Sequence, residues 1–330
     1  LQIGQCKAAQ GAPVFSPERE DEILDRVVQA NKGPLQESAV RAVFRELMSG
    51  SREIQCVLRV AYLGPEYSFS HIAAIERFGR SVEYIPVSSI PAVFEAVNRR
   101  QADLGVVPIE NSTDGRIADT LDMFTRLPLK ICGEVSLRVH HHLLAMCPQS
   151  DVRRIYSKPQ ALSQCRKWLA ANVPNAQLKE VASTTTAVQL AKQEPFAAAV
   201  ASRQAAAAYG LNILVSDIED RQNNVTRFAV VGHDFAKRTG DDKTTILLQI
   251  PNAPGALYDA LSAFKKNRVN MTWIESFPAE GDGKSQKYDF FVDVAGHVSD
   301  ERIKRTLALL KRRCDEVVVL GAFPRGKSYE

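Results

Sequence analysis

A hydroxyl and a guanidinium stand side by side at Thr226 and Arg227, where a polar run from Asp217 to Asn224 gives way to ThrArgPheAlaValVal. That tail alternates and is rich in β-branched and aromatic residues, as strands are, and the Asn-rich approach suits a loop. Successive strand residues point to opposite faces, so the two groups are expected to do different jobs. Further polar groups fall where strands end or helices begin: Glu110, Asn111 and Ser112, then Ser157 and Gln164, then Thr184. A helix start offers unpaired backbone N–H groups and the positive end of a dipole, which favours a bound carboxylate. Helix capping accounts for Ser157 or Thr184 taken singly. As a set, these residues read as an anion-binding cleft between two lobes.

Other chemistries find less support. HisHisHis at 140–142 invites a metal, but consecutive strand residues do not aim at one ion, so hydrogen-bonding histidines and no metal are expected. The six cysteines are scattered without ligand or redox spacing and read as free thiols of a reducing compartment. No glycine-rich nucleotide loop or nucleophile elbow occurs, and nothing requires a nucleotide. A net charge of +4 over 330 residues makes no case for nucleic acid. The chain has no apolar run of spanning length, and its first thirty residues are too charged for a secretory signal. A soluble, cytoplasmic protein with no membrane partner is expected.

The elements that must hold these groups fall into three textures. Residues 1–55 are helical: Ser16, Pro17, Glu18 and Glu20 open one helix, and another runs to about Gln55 with Val40, Val43, Phe44, Leu47 and Met48 on its buried side. The opening residues look like the end of a helix already under way, so an N-terminal stretch is expected to be missing. A partner chain or that stretch is expected to cover the helices. Residues 56–235 alternate strands with helices, the pattern of parallel α/β sheets, and suit two small α/β lobes. A charged linker at 233–243 precedes strand, helix, strand, strand, helix, strand, the ferredoxin-like βαββαβ plan. The fold class expected is thus multidomain α, α/β and α+β, divided at 1–55, 56–235 and 236–330.

Several stretches carry a resemblance. ValProIleGluAsnSer (107–112), TyrSerLysProGlnAlaLeuSerGlnCys (156–165), SerThr (183–184) and AsnValThrArgPhe (224–228) resemble the signatures of prephenate dehydratase. ProGlyAlaLeu (254–257) and AsnMetThrTrpIleGluSer (270–276) resemble the ACT domain that follows it, and Lys7, ProGluArgGlu (17–20), Ser51 and Gln55 resemble an all-helical chorismate mutase. The domain order is that of the bifunctional chorismate mutase–prephenate dehydratases, whose dehydratase part has a two-lobed architecture like that of periplasmic binding proteins.

The resemblance implies loss of water and carbon dioxide from prephenate to give phenylpyruvate, in phenylalanine biosynthesis. Aromatisation drives the reaction, so no cofactor is implied. Thr226 is implied to donate to the leaving hydroxyl; Glu110, Asn111, Ser112, Ser157, Gln164 and Thr184 are assigned to substrate orientation. Arg227 is assigned either to a substrate carboxylate or to the protein itself, with the structural role preferred. Lys7, Arg19, Glu20, Ser51 and Gln55 are implied to line a pocket for chorismate. The family's first helix carries carboxylate-binding arginines that this sequence lacks, so weak or no mutase activity is expected. Gly255, Ala256, Leu257, Asn270, Glu275 and Ser276 are implied to bind L-phenylalanine as effector, in a homo-oligomer. Two departures stand out: Tyr67 precedes Ser68 where the family usually has Gly, and Phe277 replaces an Arg of the effector motif. An arogenate dehydratase and a non-catalytic amino-acid sensor are the alternatives.

Overall fold

The computed structural model describes residues 15–113, 115–278, 287–326 and 328–329. Helix α1 (Pro17–Ala30) starts with proline at a position where a missing N–H costs nothing, and two glutamates sit in its first turn. Ser16 precedes it, but its hydroxyl donates to Glu18 Oε1 instead of capping the helix. Helix α2 (Glu37–Glu53) packs antiparallel beside it, burying Leu24 and Val40. The expected buried stripe of α2 is only partly buried, with Val43 55% and Leu47 59% exposed. What anchors the pair to the next unit is largely ionic. Arg77 pairs with Asp21 at 2.7 Å, Arg45 with Glu76 at 2.7 Å, and Arg52 reaches Glu20 and the Phe78 carbonyl.

The first lobe comprises β1 (Arg59–Leu63), α3 (Phe69–Phe78), β2 (Glu83–Val87), α4 (Ile90–Asn98), β3 (Leu104–Asn111), the short β4 (Gly115–Arg116), α5 (Ala118–Arg126) and β5 (Lys130–Arg138). The second comprises β6 (His142–Ala145), β7 (Arg154–Ser157), α6 (Pro159–Gln164), α7 (Arg166–Asn172), β8 (Gln177–Glu180), α8 (Thr184–Gln193), β9 (Ala197–Ala201), α9 (Arg203–Tyr209) and β10 (Asn212–Val215). Its sheet runs β10-β6-β9-β7-β8, and the central strands β6, β9 and β7 are buried on both faces. The chain then returns to the first lobe as β11 (Val225–Gly232).

The sheets are mixed, not purely parallel as expected from the alternation. Strand β11 lies antiparallel between β3 and β5, because the chain re-enters from the second lobe and not through a helical crossover. Its residues divide between two cores. Phe228 and Val230 face the side covered by α3, and Ala229 and Val231 face the side covered by α4 and α5.

The last unit is β12 (Asp242–Ile250), α10 (Ala256–Lys266), β13 (Met271–Pro278), β14 (Tyr288–Ala295), α11 (Glu301–Leu310) and β15 (Glu316–Pro324). Its strand order β13-β14-β12-β15 is ferredoxin-like. The unit is not set apart by a loose linker: Ala236 is buried and donates its N–H to Ala322, and Asp242 already belongs to β12. Strand β15 also pairs with β5, so the sheet continues from one unit into the other. At the join, a Cβ on Gly321 would lie 2.5 Å from the Ile131 carbonyl oxygen, so only glycine admits the contact. Leu247, Phe291, Leu320 and Phe323 add to the first lobe's core, while α10 and α11 cover the opposite face.

Candidate active site

Between the lobes lies a cleft of about 500 Å³, lined among others by Ser68, Ser89, Asn111, His141, Lys158, Gln164, Ser183, Thr184 and Thr226. Its construction follows from where helices begin. Ser68, Ser89 and Ser183 cap α3, α4 and α8, each accepting from a backbone N–H three residues on. Residues of all three helix starts line the cleft, and so does Ile117 at the start of α5. Converging positive dipole ends make the cavity a host for anions. Lys158 adds a full positive charge and Asp119 a negative one at the rim.

Thr226 and Asn111 are register partners on β11 and β3, and both are nearly buried. Asn111 Nδ2 donates to Thr226 Oγ1 at 2.7 Å and to Asn224 Oδ1 at 3.0 Å. Asn224 Nδ2 donates in turn to Gln164 Oε1 at 3.0 Å, which also meets His141 Nε2 at 2.9 Å. A chain of hydrogen bonds therefore runs from the first lobe to the second along the cleft floor. Because Asn111 supplies a donor to the threonine oxygen, the threonine's own proton is left to point at a bound molecule.

Glu110, Ser157 and Ser112, expected to contact substrate, sit elsewhere, and so does Arg227, for which the structural role was preferred. Glu110 neighbours Asn111 on a strand and so faces the other way, where Arg227 Nη1 donates to it at 2.9 Å. Arg227, next to Thr226, also leaves the cleft: Nη2 donates to Glu134 at 3.0 Å and to Asp293 at 2.7 Å. Burial works against its charge, but Asp293 and Glu134 outweigh that and raise its pKa. Ser157 is fully buried with Oγ donating to the Val200 carbonyl, tying β7 to β9. Ser112 is exposed; its hydroxyl accepts from Val225 N and donates to Asn223 O, pinning the approach to β11. Of the residues proposed from sequence, Asn111, Gln164, Thr184 and Thr226 line the cleft. Ser89 was not singled out, and His141, Lys158 and Asn224 were named only within longer stretches and not as site residues, although a serine ahead of IlePro and the Asn-rich run were visible signals.

The triple histidine is hydrogen-bonded. His140 Nδ1 meets Glu219 Oε1 at 2.8 Å, His141 N donates to Glu219 Oε2, and His142 Nδ1 accepts from Asp217 N. His140, Asp217 and Glu219 bring ligand-type atoms within 4.8 Å of one another, a cluster that the imidazole–carboxylate hydrogen bond explains.

Tyr67 adopts φ +61°, a left-handed conformation that favours glycine, which is the residue the resemblance leads one to expect there. Its ring lies edge-on to Tyr209 of the second lobe at 6.0 Å, and Thr185 Oγ1 donates to the Glu66 carbonyl beside it. The bulky side chain thus bridges the lobes at one side of the cleft.

The other sequence-proposed sites are separate. Lys7 lies outside the described residues. Arg19 is exposed and paired with Glu22, and Glu20 pairs with Arg52. Ser51 donates to Leu47 O, while Gln55 lies beyond the end of α2 and donates to Ser51 O. Gly255 (φ +81°), Ala256 and Leu257 form the exposed start of α10. Asn270 precedes the edge strand β13, on which adjacent Glu275 and Ser276 point to opposite faces.

Two buried histidines predict a pH response. His71 stacks on Tyr62 and accepts the Tyr67 N–H at Nδ1; burial pulls its pKa down against the attraction of Glu66. Burial likewise lowers His142. Folded-state values below the unfolded value of about 6.5 mean that the unfolded chain takes the protons first. Stability is therefore whole above pH ~6.5 and declines as pH falls through the folded values. Thermal melts between pH 5 and 8 should show a falling midpoint on acidification; a midpoint that rises from pH 7 to 5 would contradict the assignment.

Comparison with known proteins gives a consistent set of likenesses. Residues 60–236 match the family model of prephenate dehydratase and residues 1–56 that of chorismate mutase type II. The bifunctional chorismate mutase/prephenate dehydratase of Aquifex aeolicus is 42% identical over 328 residues, covering 98% of this chain and 90% of that protein. Among solved structures, the prephenate dehydratase of Arthrobacter aurescens in complex with L-Phe is 34% identical at a TM-score of 0.74, covering 81% of this chain and 89% of that one. The quorum-quenching acylase GqqA is 29% identical at a TM-score of 0.72, covering 80% of this chain and 97% of that one. Among the described residues, no helix is long and apolar enough to cross a membrane.

Proposed function

The chain belongs to the prephenate dehydratase family, with a chorismate mutase type II segment ahead of the dehydratase region, and we propose that it converts prephenate to phenylpyruvate in the cleft at Thr226. The observation that carries the reading is the hydroxyl of Thr226, oriented by Asn111 at 2.7 Å into a cavity ringed by helix N-termini. Prephenate is a dianion whose ring hydroxyl and ring carboxylate leave together. The electrons of the breaking carbon–carboxylate bond enter the ring, carbon dioxide departs, and hydroxide is expelled from the opposite carbon, becoming water with one proton taken up from solvent. The Thr226 O–H hydrogen-bonds to the departing oxygen, where negative charge grows. Helix dipoles and Lys158 hold the carboxylates, while Gln164 and Thr184 fix the ring. Aromatisation supplies the driving force.

The remaining assignments rest on the same reading. We place the units at 1–55, 56–235 and 236–330 and read the last as an ACT domain that binds L-phenylalanine, a reading supported by its ferredoxin-like strand order. Exposed Val43 and Leu47 on α2 and the edge strand β13 support a homo-oligomer. The helical segment is read as a chorismate mutase type II module, and the enzyme is assigned to the cytoplasm. Phenylpyruvate release from prephenate, followed by ultraviolet absorbance with arogenate as competing substrate, tests the main assignment. Preference for arogenate would transfer it to the amino analogue, and acylase activity without prephenate turnover would replace it. Calorimetry should register L-phenylalanine binding at millimolar concentration; no heat would remove the effector.

A further inference from the structure

The turn between β1 and α3 carries a side chain that packs into the other lobe. Tyr67 belongs by sequence to the first lobe, yet its ring is packed against the second-lobe core that includes Ala187, Val188 and Ala205. Every other described member of that core comes from residues 144–211. The ring stands edge-on to Tyr209 at the end of α9, with centroids 6.0 Å apart and planes at 80°, and edge-on to His71 of its own lobe at 5.8 Å. The Tyr209 hydroxyl accepts in turn from Gln189 Nε2 on α8 at 3.1 Å. One residue before the tyrosine, the Glu66 carbonyl accepts from Thr185 Oγ1 at 2.9 Å.

The backbone that permits this is unfavourable for the residue it carries. At φ +61° an L side chain crowds its own carbonyl, and glycine does not. The turn is nevertheless pinned: Tyr67 N donates to His71 Nδ1 at 3.0 Å and Ser68 N to the Pro65 carbonyl at 3.2 Å. Strained residues persist where their surroundings fix them, and they gather at binding sites. The place of this one is specific. Ser68, the next residue, caps α3, while Thr185 lies in the first turn of α8 behind its cap Ser183. Both helix starts line the cleft, one from each lobe. The contacts therefore join the lobes beside two of the positive helix ends assigned to the substrate carboxylates, whose separation decides whether one dianion reaches both.

We infer that Tyr67 is a positioning residue for substrate binding: its ring, clasped to Tyr209, fixes the spacing between the starts of α3 and α8 at which the cleft holds the dianion. The inference rests on the dehydratase reading given above. Tyr67 is not among the residues lining the cleft, so it acts through the two helices and not by touching substrate. Without the clasp, part of the binding energy is consumed in bringing the lobes to the required spacing, and KM rises. The hydroxyl that serves the departing oxygen is held separately by Asn111, so kcat stays.

The test uses the full chain with Tyr67→Gly, Tyr67→Phe, Tyr209→Leu and the double variant Tyr67→Gly/Tyr209→Leu. The kcat and KM for prephenate are measured beside thermal midpoints. Tyr67→Gly is expected to raise KM about fivefold or more with kcat within about twofold. Its midpoint should hold, because glycine takes the left-handed backbone freely and offsets the lost ring contact. Tyr67→Phe keeps the ring and should keep KM within about twofold of wild type. Tyr209→Leu should raise KM to a similar extent, and the double variant should add little, since either substitution opens the same clasp. A lowered midpoint with wild-type KM in Tyr67→Gly marks a purely structural side chain and overturns the inference, as do KM effects that multiply in the double variant. If Tyr67→Gly fails to fold, Tyr67→Asn, whose short side chain also accepts left-handed backbone, decides on the same terms. Absence of prephenate turnover in the wild type overturns the dehydratase reading and this inference together; turnover with KM insensitive to these substitutions overturns the inference alone.

Discussion

Thr226→Ala is expected to lower kcat for prephenate by about 10²–10⁴-fold, the range for losing a positioned proton donor. The loss should fall on kcat and leave KM nearly unchanged, because the hydroxyl acts on an oxygen whose charge develops only as the bond breaks. Folding should be little affected. Asn111 Nδ2 keeps its bond to Asn224 Oδ1 at 3.0 Å, and the N–H that served Thr226 is left at the cleft, where solvent can accept it, so the stability change should be about 1 kcal/mol. Thr226→Ser restores a hydroxyl at the same carbon and should recover most of the rate. Steady-state kinetics on folded protein, verified by circular dichroism, decide the matter: an alanine variant turning over at the wild-type rate removes Thr226 from the chemistry.

Arg227→Leu, one residue away, should have the converse character in folding. It leaves Asp293 and Glu134, with side chains 2% and 4% exposed, without their shared cation. Stranding buried carboxylates in this way costs about 3–5 kcal/mol. Urea unfolding at pH 7.5 measures it. The sign of its pH dependence follows from Glu134: burial would raise its pKa, but Lys243 and Arg227 outweigh burial and hold it below the ordinary value. Such a group stabilises the fold above its unfolded pKa of about 4.3, and the contribution disappears as pH falls through the lower folded value. The gap between wild type and variant should therefore narrow in acid. A variant within about 1 kcal/mol of wild type at pH 7.5 would show that the carboxylates have found other partners.

Short-range physics made part of this protein readable from its residues. Alternation in ThrArgPheAlaValVal places Thr226 and Arg227 on opposite faces, and the structure has Thr226 bonded to Asn111 and Arg227 to Glu110 across the same pair of strands. The βαββαβ order of the last unit was legible in the same way, since each element declares itself by its own period and caps. The second helix shows the limit. Val43 and Leu47 have helical spacing and stand on one side, but spacing does not say whether anything packs there.

Site membership was harder to read because nearness in sequence and nearness in space part company at strands. Glu110 and Ser157 belong to the stretches that mark the site, yet one turns to the opposite face and the other is sealed against the Val200 carbonyl. The convergence of helix starts around one cavity depends on how two sheets face each other, which no local pattern encodes. The partners of Arg227 come from positions 134 and 293, and no pairwise rule selects them from the acidic side chains of the chain. Local propensity and alternation, fixed by backbone sterics and side-chain type, determined from sequence which elements form and which way each residue points. Only the tertiary packing decided what each face meets, because the free energy of burying a charge or a hydroxyl depends on groups brought in from far along the chain.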